Sequence, residues 1–368
     1  MAIETPLRAI HEKAGARLAL WFGTLLPDRF GDSATEYRHA RESVALLDTN
    51  YHAFIELEGP DRVRYLNAVV SNNIKDLSEN QGNVSLLLNP QGHILAELEC
   101  YALPDRLLVV SHALTRERTV QTLDKFIIMD DATLVDATDR IRSVALEGPQ
   151  AAAIVKQLSG LDLEAMAERA QQEAAIAGMH CRVVRRSNFG EIGAELLSSR
   201  DDLPSLWQTL AEAARACGGG PIGYATFNAL RLEAGIPWFN YDFDDKVIPP
   251  EAALETTHLS YTKGCYTGQE IVERVRSRGH VNRRRVGLEF SGQSIPAPAT
   301  PLSAAGQDVG FVTSAAFSPA LGRRIGMGYV RREANSVGST LEWPGGTAKV
   351  IELPIAAIRA AQSGTSGT

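Results

Sequence analysis

The densest run of chemistry-bearing residues is Tyr261-Thr262-Lys263-Gly264-Cys265-Tyr266-Thr267-Gly268-Gln269-Glu270. A cysteine attacks as its thiolate, and a nearby cation favours that form. Lys263 stands two positions before Cys265 and can supply the cation. Gly264 and Gly268 let backbone approach a ligand closely. The competing reading is a tight turn around a buried, inert thiol, because free cysteine is among the most buried residue types. Two glycines, a lysine and the Gln269-Glu270 pair around one cysteine are an unusual composition for a core segment, which favours the chemical reading.

Just downstream stand Arg274, Arg276, Arg278, Arg283, Arg284 and Arg285, with His280 among them. The planar guanidinium grips phosphate and carboxylate through a fork of donors. This segment therefore reads either as an anion site, for a folate glutamate tail, an RNA backbone or an acidic partner, or as the solvated face of one strand. On a strand, Arg274, Arg276 and Arg278 would point the same way. Glu191 and Glu195 follow the turn at Asn188-Phe189-Gly190. A carboxylate accepts two adjacent N–H groups, the pattern a pterin presents; the plainer alternative is surface glutamate on a hairpin. Arg231 and Glu233 are two apart on a predicted helix and do not face each other, so each needs a partner elsewhere.

The elements that must position these groups are of mixed type. Residues 1–50 read as helical and linking. Strands are expected over 53–58, 83–88, 93–101, 106–111, 133–137 and 141–146, with helices opening at Asp61 and Thr115. A similar texture follows: strands at 181–186 and 194–198, a helix through Leu206, Leu210 and Ala214, another over 222–233, and a long ordered loop over 236–262. Beyond about 285 short strands separated by glycine turns predict a small antiparallel barrel. The expected organisation is α+β, with regions 1–150, 151–284 and 285–361, and a disordered tail at 362–368.

The whole chain has 368 residues, 44% hydrophobic and 22% charged, with net charge −7 and mean hydropathy −0.12. That is ordinary globular composition. The acidic balance argues against indiscriminate nucleic-acid binding by the whole surface. Four cysteines, at 100, 181, 217 and 265, form no C-x-x-C pair. Phosphate-loop, H-E-x-x-H and G-x-S-x-G motifs are absent from the sequence. No apolar run approaches a membrane span and the N-terminus lacks an apolar signal core, so a cytoplasmic location with no membrane partner is expected.

With these residues in view the chain resembles the folate-binding T-protein superfamily, which contains the aminomethyltransferase of glycine cleavage. The likeness runs through Thr5-Pro6-Leu7, Arg41-Glu42-Ser43-Val44, Glu58-Gly59-Pro60-Asp61, Leu230-Arg231-Leu232-Glu233-Ala234-Gly235 and Phe317-Ser318-Pro319-Ala320-Leu321-Gly322. Lys263 to Glu270 matches the K-G-C-[FY]-x-G-Q-E signature of the YgfZ branch, whose members bind folate and support iron–sulfur enzymes. The resemblance implies three domains around a central folate cavity and tetrahydrofolate as cofactor. It implies that Glu195 holds the pterin, that Arg231 lies near the folate, that Cys265 is the functional thiol, and that iron–sulfur client or assembly proteins are partners. The alternative it implies is aminomethyl transfer using Glu97. T-proteins carry Asp-Asp where this chain has Ala96-Glu97, and Tyr-Thr where it has Asn188-Phe189. Neighbouring strand residues point to opposite faces. If position 96 faces the cavity the carboxylate is lost; if 97 does, a glutamate survives, one methylene longer.

Overall fold

The computed structural model describes residues 2–355. They form two compact units. The first comprises residues 2–87, Leu95–Thr226 and His258–Thr267; the second comprises Leu88–Ile94, Phe227–Thr257 and residues 268–355.

The first unit contains a five-stranded sheet in the order Gly82–Leu88, Ile94–Ala102, Leu107–His112, His52–Glu58, Thr133–Asp136. Along Ile94–Ala102 the period of two is strict. Ile94, Ala96, Leu98 and Cys100 are buried, while Leu95, Glu97 and Glu99 point to the other face. Ala96, Leu98 and Cys100 pack in one cluster with Tyr65, Leu66 and Val69 of the helix Arg62–Val69, one stripe at helical spacing.

A six-stranded sheet runs Gln171–Ile176, Met179–Arg185, Gly193–Ser199, Ile141–Glu147, Ala45–Asp48, Gly220–Pro221. The helix Leu203–Ala216 covers it with Leu203, Leu206, Trp207, Leu210 and Ala214, packed among Leu46, Val144 and Leu196. Full burial of each large side chain contributes roughly 1.5–3 kcal/mol. The domain boundary expected at 150 runs through this sheet: Ile141–Glu147 pairs with Gly193–Ser199 on one side and Ala45–Asp48 on the other.

The segment expected to be helical and linking also holds a third sheet, Ile3–Glu4, Thr24–Arg29 and Arg17–Trp21. In the second unit a closed antiparallel barrel is built from Arg283–Phe290, Arg323–Arg331, Gln307–Ser318, Pro301–Ala304, Thr340–Trp343 and Gly346–Ile351. Alternate residues Leu288, Phe290, Leu302, Val309, Val330, Leu341, Ala348 and Val350 fill its core. The mixed α+β class and the C-terminal barrel are as the sequence predicts. The expected disordered tail, 362–368, lies outside the described residues. Among the described residues no helix is long and apolar enough to cross a membrane.

Candidate functional site

The strand alternation answers the question posed by Ala96-Glu97. Ala96 sits in the apolar core, and Glu97 projects from the opposite face. His258 Nε2 donates to Glu97 Oε1 at 2.9 Å, and His112 Nε2 lies 3.6 Å from Oε2. Burial pushes this carboxyl's pKa up, but the two imidazoles outweigh burial and hold it well below the carboxylate range. The side chain keeps 23% of its surface open. Tyr51 and Phe22 stack at 4.3 Å between ring centroids, and both rings lie 5.4 Å from His112.

Two residues along the same face Glu99 begins a second network. Arg186 Nε donates to Glu99 Oε1 at 2.8 Å and its Nη1 donates to Glu195 Oε2 at 3.0 Å. His52 Nδ1 donates to Glu195 Oε1 at 2.8 Å, and the Tyr101 hydroxyl donates to Glu99 Oε2 at 2.5 Å. Glu195 is 3% exposed. Burial raises its pKa, while the charges of His52 and Arg186 and the hydrogen bonds lower it further, to about 2. The Ser143 hydroxyl also hydrogen-bonds this carboxylate; two oxygens with two lone pairs each have four acceptor positions for these three donors. Arg186 Nη1 also donates to Asn188 Oδ1, and the buried Asn188 Nδ2 has no acceptor among the described residues. A buried carboxylate and an unsatisfied amide N–H thus meet at one guanidinium nitrogen. That pair complements a 2-amino-4-oxo heterocycle, which offers adjacent N–H donors and a carbonyl.

Glu147 was not singled out from the sequence. It is fully buried at the end of its strand and accepts from Asn188 N at 2.5 Å, Phe189 N at 2.8 Å, Glu191 N at 3.1 Å and Ser187 Oγ at 3.0 Å. It therefore shapes the loop that aims Asn188. Burial raises its pKa to about 7, against the lowering effect of those hydrogen bonds. Glu191, expected beside Glu195 as a ligand group, instead pairs with Arg41 at 2.9 Å.

The Lys263–Cys265 segment is differently arranged from the sequence reading. Lys263 Nζ donates to the carbonyls of Asn67, Val70 at 2.5 Å and Asn72 at 2.9 Å. An ammonium has three protons, so all are spent on the carboxyl end of the helix Arg62–Val69, where a cation is favourable. Lys263 is thus a structural pin, and its hydrogen bonds go to carbonyls rather than to the thiol. Burial lowers its pKa to about 8, which leaves it charged at neutral pH. Cys265 itself is exposed, which removes the reading of a buried thiol. Tyr266 is buried beside Lys263, with the ammonium 5.3 Å from its ring centre. Gly264 has open space about it.

In the second unit Gly268 opens the helix Gln269–Arg278 at φ +82°, where a Cβ would meet the Asn89 carbonyl oxygen at 2.6 Å. Glu270 pairs with Arg274 and Glu273 with Arg276 on that helix. Arg274, Arg276 and Arg278 are therefore not one strand face. Arg283 and Arg284 pair with Glu251 and Glu255, and Arg285 donates to the Ala252 carbonyl. Most of the arginine run is neutralised by its own neighbours, which takes away the support for an RNA site. Arg231 is fully buried. It is paired with Asp242, bonded through Nε and Nη2 to Asn228 and through Nη1 to the Ile236 carbonyl, and stacked 4.5 Å from the Trp238 ring centre. With every nitrogen engaged, it is a structural pin rather than a folate ligand.

Among the described residues no group of three or more His, Cys, Asp or Glu side chains is arranged to hold a metal ion. Residues 7–259 match the GCVT N-terminal domain family, and residues 283–355 match the glycine cleavage T-protein C-terminal barrel domain. The chain belongs to the glycine cleavage T-protein family. It is 30% identical over 329 residues to an aminomethyltransferase of Streptomyces avermitilis, with 89% of this chain and 88% of the relative covered. It is 29% identical over 343 residues to one from Halothermothrix orenii, with 92% and 94% covered. A solved structure, the glycine cleavage system aminomethyltransferase T from Bartonella henselae, superposes with a TM-score of 0.87 at 26% identity, covering 96% of this chain and 98% of that one. The T-protein fold is therefore established across nearly the whole chain. In this member of the T-protein family, Glu97 lies on the face of its strand opposite the apolar core.

Proposed function

We propose that this protein binds tetrahydrofolate in its first unit and transfers an aminomethyl-derived one-carbon unit to it, in the cytoplasm. The observation that carries the folate reading is the pairing of Glu195, held as a carboxylate by His52 and Arg186, with the unsatisfied Asn188 amide. Glu195 would accept from the pterin's ring and amino N–H groups, and Asn188 would donate to its carbonyl. The transfer reading rests on the named relatives and on the carboxylate that survives at Glu97. Tetrahydrofolate supplies the nucleophilic nitrogen that receives the carbon. Glu97, kept as a carboxylate by His112 and His258, would stabilise positive charge on the donor as the amine leaves.

The test is calorimetric titration of the protein with tetrahydrofolate, alongside Glu195→Ala and Cys265→Ala, followed by an assay of methylene transfer from an aminomethyl donor. Saturable binding that is lost in the Glu195 variant and kept in the Cys265 variant supports the folate site. Absence of turnover at high protein concentration removes the transferase half and leaves the binding half standing.

A second reading is favoured by one observation. Cys265 is exposed on a segment pinned on both sides, by Lys263 to the helix Arg62–Val69 and by the burial of Tyr266. That arrangement presents a thiol outward, which suits the YgfZ-type role of supporting iron–sulfur client or assembly proteins. Loss of iron–sulfur enzyme activity in a deletion strain carrying Cys265→Ala would support it; full rescue by that variant would remove it.

A further inference from the structure

One member of the arginine run has no acidic partner. Arg285, in the second unit, is 8% exposed. Its Nε donates to the Ala252 carbonyl at 2.8 Å and its Nη1 to the Met327 sulfur at 3.1 Å. A thioether is a weak acceptor, and a guanidinium has five protons to place. One proton on Nη1 and both on Nη2 therefore have no acceptor among the described residues.

The acids around Arg285 are held by other groups. Asp242 pairs with Arg231 through Oδ2, which also accepts from Trp238 N, and its Oδ1 accepts from the Thr313 hydroxyl. Glu251 pairs with Arg283, and Glu255 with Arg284. Burial disfavours the charge on Arg285, and the guanidiniums of Arg231 and Arg284 repel it. Together these effects outweigh the attraction of Asp242 and Tyr329. Arginine nevertheless stays protonated in proteins. A desolvated positive charge is thus left without a counter-ion among the described residues, an arrangement that is costly unless something pairs with it.

Arg285 is part of the wall of a cavity of about 400 Å³ in the same unit, within the range of small-molecule sites. Most of that wall is apolar, with Val337, Val350, Ile351 and Leu353 among its residues. Its other charged side chain, Arg284, is already paired with Glu255. The charge to be met is therefore a single one. With Nε committed to a carbonyl, the open part of the guanidinium is its Nη1–Nη2 end, which a carboxylate can bridge with both oxygens. One carboxylate cancels one guanidinium. A phosphate monoester carries nearly two negative charges and would leave an excess of the opposite sign in a desolvated place.

We propose that this cavity is a ligand site for a monocarboxylate with an aliphatic body. The carboxylate lies on Nη1 and Nη2 of Arg285, and the body lies against Val337, Val350 and Ile351.

The experiment is calorimetric titration of the full chain with hexanoate, compared with acetate, 1-hexanol and hexyl phosphate. Hexanoate is expected to bind saturably. Acetate, which lacks the body, and 1-hexanol, which lacks the charge, are each expected to bind at least about tenfold more weakly, and hexyl phosphate more weakly than hexanoate. Arg285→Gln is expected to weaken hexanoate at least about tenfold, the loss of hydrogen bonds between charged groups. Val337 is 68% exposed, so its replacement leaves the fold intact even if the Arg285 variant does not fold. Val337→Asp sets a like charge beside the carboxylate and is expected to weaken hexanoate several-fold, while Val337→Asn binds it about as the unaltered protein does. Tetrahydrofolate is expected to titrate alike in all of these proteins. Absence of saturable hexanoate binding, 1-hexanol or hexyl phosphate binding as tightly as hexanoate, or equal binding by the unaltered protein and Val337→Asp would each overturn the proposal. So would competition between hexanoate and tetrahydrofolate, which would put the carboxylate in the folate site. The folate reading itself stands or falls on Glu195→Ala, so the two failures are distinguishable.

Discussion

His258 donates to Glu97 across 161 residues of sequence, at 2.9 Å. The histidine belongs to the segment His258–Thr267 that also carries Cys265, and that segment is tied down by Ser71. The Ser71 hydroxyl donates to the His258 carbonyl at 2.7 Å, and Ser260 N donates to the Ser71 carbonyl at 3.1 Å. The position of an acidic group on one sheet is thus set by the docking of a distant loop.

Glu97→Gln keeps the size of the side chain and removes its charge. If the Glu97 carboxylate steadies positive charge on the donor during transfer, methylene transfer falls roughly 100-fold or more, while tetrahydrofolate affinity stays within about threefold. The split between turnover and binding is the diagnostic, read from kcat and from calorimetry on the same preparation. Equal losses in both would mean that Glu97 binds rather than reacts.

Asn188→Leu preserves volume and deletes the orphaned amide. Leaving a buried hydrogen-bond partner unsatisfied costs about 1–3 kcal/mol. Tetrahydrofolate should therefore bind about tenfold more weakly to this variant. The substitution also removes the Oδ1 that accepts from the buried Arg186, so the melting temperature should fall by several degrees, about 1–3 kcal/mol, independently of the folate effect. Unchanged affinity would detach Asn188 from the pterin.

The acid limb of stability should report Glu195. Its pKa in the fold is about 2, below the ordinary 4.5. A group depressed in this way contributes stability that is present above the ordinary value and is lost as pH falls through the folded one. Glu147 has the opposite sign: its pKa in the fold is about 7, so its contribution is present below 4.5 and lost as pH rises through 7. The melting temperature should fall as pH drops from about 4.5 to 2, and this fall should be shallower in Glu195→Gln. Between 4.5 and 7, Glu147→Gln should remove a downward slope with rising pH. Parallel curves for the variants and the unaltered protein would contradict both assignments.

Much of the site's scaffold was legible where a period was clean. In Ile94–Ala102 the apolar residues alternate with Glu97 and Glu99, so the two glutamates had to share a face. The pattern alone says which residues travel together; the packing of Tyr65 and Leu66 against Ala96 and Leu98 says which face is inside. The hairpin of Arg17–Trp21 and Thr24–Arg29 was hidden because its two-residue turn is Phe22-Gly23, both at positive φ. Asn-Gly is the usual signal for such a turn, and a phenylalanine there reads as strand. The arginine run was open to a strand reading because alternate charges fit period two. The markers of the helix, glycines at both ends and Ile271, Val272 and Val275 at helical spacing, were present but weaker. Glu147 and His258 had no local signal, since their partners come from 40 to 161 residues away.

Lys263 separates two accounts of the cysteine motif. As a thiolate partner, its removal would slow the reaction of Cys265 and leave the fold alone. As a pin, its three bonds satisfy the Asn67 carbonyl in the last turn of the helix Arg62–Val69 and the Val70 and Asn72 carbonyls just after it. Lys263→Met keeps the apolar stem beside Tyr266 and deletes the ammonium. Unsatisfied carbonyls then cost roughly 1–3 kcal/mol, which for a domain of this size lowers the melting temperature by several degrees. Alkylation of Cys265 at pH 7 should be no slower than in the unaltered protein, because no proton of Lys263 is directed at the thiol. Cys265→Ser, at an exposed position, should melt as the unaltered protein does. A Lys263→Met protein that melts normally but reacts several-fold more slowly at Cys265 would restore the thiolate account and remove the structural one.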